Sequence, residues 1–99
     1  MGKNSGVSGR YFESVGAYLR EMRVNAGLTQ KYVADELGYS TPQFVSNFER
    51  GVALPSLKKM KVLIRLYNLS IPEFIRLVLE AERKRMADGL TRDKKRASR

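Results

Sequence analysis

The sequence predicts an all-α fold, on three observations. Apolar residues recur at steps of three and four along most of the chain. Ser, Thr, Pro and Gly fall where helices begin and end. No two alternating-apolar runs flank a short turn, so no β-hairpin is signalled.

Residues 1–10, rich in Gly and Ser, read as a flexible N-terminal arm. Phe12, Val15, Leu19, Met22 and Ala26 share one helical face, and Gly27 follows as a residue that accepts positive φ. Thr29 can cap a second helix with the stripe Val33, Ala34 and Leu37, ended by Gly38. Thr41 as N-cap, with Pro42 in the first helical position, opens a third helix. Its inward residues are Val45 and Phe48, and Gly51 ends it. Pro55-Ser56 opens a fourth, with Leu57, Met60, Leu63, Ile64 and Tyr67 as its core stripe. Ser70 and Glu73 form a capping box for a fifth. On that helix Ile71, Phe74, Ile75 and Val78 can face the bundle, leaving Leu77 and Leu79 to point elsewhere. The expected domain is a compact five-helix bundle over 11–85, its terminal helix at about 71–85, followed by a basic C-terminal tail at 86–99.

Composition narrows the function. A chain of 99 residues is one domain. Cys, His and Trp are absent, which removes most nucleophile–base pairs and transition-metal sites. No catalytic constellation stands out, so an enzyme is not expected, and no metal, nucleotide or redox cofactor is implied. The net charge is +9, but it sits in the tails. Residues 83–99 carry eight basic and two acidic groups, whereas 11–82 carry nine against eight. A basic tail suits a polyanion or a partner protein, and a solvated end explains it equally well. The longest apolar stretch, 71–79, is broken by Pro72, Glu73 and Arg76 and falls short of the ~20 residues that span a bilayer. The first residues lack a signal peptide's apolar core, and Gly6 breaks the myristoylation pattern. A cytoplasmic location without membrane association is the default expectation.

Residues at about 29–50 hold two short helices joined by a glycine-containing turn, the helix-turn-helix pattern. The first braces the second, whose outer face is left free for a DNA major groove. Gln43 and Asn47 lie on that outer face, and such amides pair bidentately with adenine. Thr41, Pro42, Phe44 and Ser46 are further base-reading candidates; Pro42 and Phe44 offer apolar contact to a thymine methyl. The alternative for Phe44 is packing on the bundle. Lys58 and Lys59 oppose the dipole at the start of the fourth helix, a cost that a bound phosphate would reverse. Lys31 and Arg50 are further phosphate candidates near the helix starts.

In order, Arg23, Gly27-Leu28-Thr29-Gln30, Val33-Ala34, Leu37-Gly38, Val45-Ser46-Asn47-Phe48-Glu49-Arg50-Gly51 and Pro55-Ser56 resemble the Cro/C1 (XRE-type) helix-turn-helix family. The resemblance covers roughly residues 12–80 and implies a lambda-repressor-like DNA-binding domain. The stretch from Gly38 to Val45 is one residue longer than in many members. The resemblance implies that Gln30 bonds a phosphate and steadies the recognition helix, and that Arg23 and Glu49 form a structural ion pair. The apolar surplus on the fifth helix, Phe74, Leu77, Val78 and Leu79, suggests a homodimer interface. The expected function is sequence-specific transcriptional regulation, as a repressor or controller on a roughly palindromic duplex operator. The alternative is an interaction module of the same fold, antitoxin-like or an adaptor, docking through its terminal helix or tail.

Overall fold

Side-chain caps set the helix starts. The computed structural model describes residues 11–97, with side chains through residue 91, as five helices. These are α1 (Glu13–Asn25), α2 (Gln30–Leu37), α3 (Gln43–Glu49), α4 (Leu57–Tyr67) and α5 (Ile71–Ala97). The arm expected at residues 1–10 lies outside the described residues. The Thr29 hydroxyl accepts from Tyr32 N at 3.0 Å and the Ser56 hydroxyl from Lys59 N at 3.2 Å, each satisfying an orphan donor. Ser70 does the same for Glu73 N at 3.4 Å, but the Glu73 carboxylate turns to Arg76 and does not close the box.

The core gathers Val15 and Leu19 from α1, Val33, Ala34 and Leu37 from α2, Val45 and Phe48 from α3, and Leu63 and Tyr67 from α4. The α1–α3 crossing is set by Gly16. A Cβ there would stand 2.5 Å from the Glu49 carbonyl oxygen and 2.6 Å from that of Phe48. Gly51, at φ 76°, lets the chain leave α3 against the backbone of Glu13. Helix α5 runs antiparallel to α1. The Tyr18 and Phe74 rings stack at 6.3 Å, and the Tyr11 hydroxyl donates to Asp88 at 2.5 Å, with Ala81 buried between.

Several expectations are corrected. Helix α3 starts one residue late: Pro42 is the flanking N-cap, and Thr41 Oγ1 accepts weakly from Gln43 N at 3.3 Å. Leu57 is 83% exposed, because Leu63 and Tyr67 define the buried face of α4 about a third of a turn away. Ala26, at the C-cap of α1, is exposed. Ile71 and Ile75 are half out, because the inward face of α5 is Phe74 and Ala81. Helix α5 does not stop near 85 but continues to Ala97, through residues read as a tail. Residues 86–97 lack apolar periodicity, but seven of the twelve are Ala, Arg, Lys or Leu, which favour helix on propensity alone. Just before this extension, Arg85 pairs with Glu82 at 2.9 Å.

Candidate nucleic-acid interface

Helix α3 buries Val45, Phe48 and Glu49 and turns its other face outward. Gln43, Asn47 and Arg50 follow one another at steps of four and three, so they form one line on that face. They are bonded together. Gln43 Nε2 donates to Asn47 Oδ1 at 3.0 Å, and Arg50 Nη2 donates to the same oxygen at 2.6 Å. The Asn47 oxygen is therefore engaged twice. Its amide N–H groups and the Gln43 Oε1 remain to meet a ligand.

Beside this line stands Phe44, 50% exposed and stacked on Tyr39 with ring centroids 4.4 Å apart. Tyr39 also meets the core ring of Phe48 at 6.4 Å, and the Lys59 ammonium lies 4.8 Å from its centroid. Phe44 is thus a braced apolar projection, neither core nor loose. Nothing in the sequence marked Tyr39, because its neighbours in the stack come from two different helices.

Behind α3 lies a polar cluster. Arg23 Nε donates to Glu49 Oε2 at 2.5 Å, Nη2 to Oε1 at 3.2 Å, and Nη1 to the Leu28 carbonyl at 2.7 Å. Gln30 Nε2 donates to the same Glu49 Oε1 at 2.9 Å. Both charged side chains are nearly enclosed, at 11% and 4% exposure. The bond to Glu49 raises the Arg23 pKa further, and burial, then the Glu49 charge, raises that of the Tyr67 phenol alongside. The cluster ties α1, α2 and α3 together at one point.

Gln30 steadies Glu49 with one amide N–H and keeps the other. Lys31 pairs with Asp35 at 3.3 Å, both exposed. Lys58 is exposed at the start of α4. Lys59 donates one ammonium N–H to the Leu37 carbonyl at 2.7 Å, capping the end of α2, and keeps two further donors. Thr41 is exposed, and Pro42 and Ser46 are partly covered. Phe74, expected at an interface between copies, is 2% exposed and belongs to the core; Leu77 and Val78 pack partly against it. Leu79 is 62% exposed.

A short helix held at three points by buried contacts, with a polar and aromatic face turned outward, defines a helix-turn-helix DNA-binding domain. The family model described as helix-turn-helix (HTH_3) matches residues 19–74, more than half of the chain. The chain belongs to this Cro/C1-type, XRE family, whose domain has the all-α lambda-repressor-like fold and binds DNA. No curated protein and no solved structure gives a significant match. Among the described residues no helix is long and apolar enough to cross a membrane.

Proposed function

We propose that the protein is a sequence-specific transcriptional repressor or controller that binds a roughly palindromic operator as a homodimer. The observation that carries this is the bonded line Gln43–Asn47–Arg50 on the outward face of α3. With the Asn47 oxygen engaged, the line offers N–H donors from Asn47 and an acceptor from Gln43. Adenine presents the complement in the major groove, an acceptor at N7 and a donor at N6. The braced Phe44 meets a thymine methyl beside it. Thr41, Pro42 and Ser46 border this reading line.

Lys31, Lys58, Lys59 and the spare N–H of Gln30 contact phosphates in this reading and set register. The Lys31–Asp35 pair is exposed and worth little, so it yields to a phosphate. Arg50 acts by holding Asn47. One such helix reads only a few base pairs, so two copies about 34 Å apart are needed. The surface for pairing runs along the projecting part of α5 through Leu79, Met86 and Leu90, exposed at 62, 56 and 66%. Of the residues expected from sequence, Leu79 stays on this surface, whereas Phe74, Leu77 and Val78 turn toward the core.

Selection of bound sequences from a random duplex pool tests the proposal. It predicts enriched sites with two-fold symmetry, half-sites about one DNA turn apart and an A·T pair within each. Recovery of no common motif contradicts it.

A further inference from the structure

Helices α4 and α5 diverge to leave an apolar groove that the DNA-binding role does not use. Its volume is about 290 Å³, and Leu57, Met60 and Ile64 of α4 face Ile71 and Ile75 of α5 across it. Leu57 is 83% exposed, Ile71 51% and Ile75 48%. The groove is almost wholly apolar in its lining and open to solvent, so it can take apolar side chains from outside.

The charges beside it say what kind of partner fits. Lys58, Lys61 and Arg65 are exposed, follow one another at steps of three and four, and so form a line along the outer flank of α4. Among the described residues none of the three has an acidic partner, and the chain carries no Asp or Glu from Arg50 to Pro72. A second copy is disfavoured as occupant. A two-fold contact sets a patch against itself and would bring this basic line onto its own image. Duplex DNA is disfavoured as well, since an apolar floor offers a phosphate backbone nothing.

We propose that the α4–α5 groove docks an amphipathic helix of a partner protein, with aliphatic side chains in the groove and carboxylates against Lys61 and Arg65, leaving Lys58 to its phosphate. Apolar anchors at steps of three and four match a groove walled by residues at the same spacing. Such a contact leaves α3 free, so a partner could be held while DNA is bound.

The test uses the full chain and two synthetic helical peptides. Both carry Leu at helical a and d positions; one has Glu along a flank, the other Lys. Binding is measured by fluorescence anisotropy, and the groove is located from methyl chemical shifts. The glutamate peptide should bind at least tenfold more tightly, weaken with salt, and shift the Leu57, Ile71 and Ile75 methyls. Ile75→Glu should reduce its affinity at least tenfold, as should Leu57→Ser, whose exposed position leaves the fold intact. Lys61→Glu with Arg65→Glu should reverse the preference between the peptides. Equal binding of both peptides, no binding of either, or shifts elsewhere on the surface overturns the proposal. Methyl shifts that follow protein concentration without peptide overturn it too, since a second copy would then fill the groove.

Discussion

Arg23 grips both carboxylate oxygens of Glu49, at 2.5 and 3.2 Å, and so fixes the last turn of α3 to the end of α1. The pair is nearly enclosed, and its net contribution to stability is small because both ions are desolvated. Removing one partner is different, since it strands a buried charge. Arg23→Met should cost about 3–5 kcal/mol, read from urea unfolding. Restoring neutrality with Arg23→Met and Glu49→Leu together should recover most of that loss. A double variant as unstable as the single one would show that the packing, and not the stranded carboxylate, sets the cost.

Gly16 permits that meeting. Any Cβ there runs into the backbone carbonyls of Phe48 and Glu49, which cannot swing away as a side chain would. Gly16→Ala should destabilise by about 1–3 kcal/mol, against the usual helix-favouring effect of alanine. Calorimetric melting that rises with Gly16→Ala would mean α1 and α3 are free to separate.

The Tyr67 phenol predicts a pH dependence. Burial is the larger cause and the nearby Glu49 charge the second; Arg23 pulls the other way, but the net shift is well above the ordinary 10.0. The folded chain therefore holds this proton more tightly than the unfolded one. That contribution is complete below about pH 10 and is lost as the pH rises beyond it. Wild type should lose more melting temperature than Tyr67→Phe between about pH 10 and the phenol's folded pKa. Parallel losses in the two proteins would place the alkaline transition elsewhere.

The proposed pairing along α5 separates two leucines. Leu79 is exposed, whereas Leu77 packs partly against the core. Leu79→Glu should turn a sedimenting dimer into a folded monomer, with unchanged circular dichroism. Leu77→Glu should lower the melting temperature as well. A Leu79→Glu protein that remains dimeric moves the interface off this face.

Much of this was legible because it depends on local chemistry. Thr29, Ser56, Gly27 and Gly38 act where their neighbours in sequence say they should. The Arg23–Glu49 pair was implied by the family resemblance and is present. What sequence missed depends on elements meeting in space. Leu57 and Leu63 sit on one apolar helix, but only the packing of α4 decides which is buried. Gly16 looks like any helical glycine until the carbonyls of α3 arrive against it. The Tyr39–Phe44 stack and the Lys59 cap need α2, α3 and α4 in place. The extension of α5 was hidden because propensity, and not apolar periodicity, carries it.

The central claim is that the outward line of α3 reads bases. The most direct measurement is the affinity of wild type and Asn47→Ala for the selected duplex and for a scrambled duplex, at one salt concentration. The account predicts a loss of about 1–3 kcal/mol, from fivefold to about 150-fold, on the selected duplex and almost none on the scrambled one. Equal losses on both, or no loss on either, would contradict it.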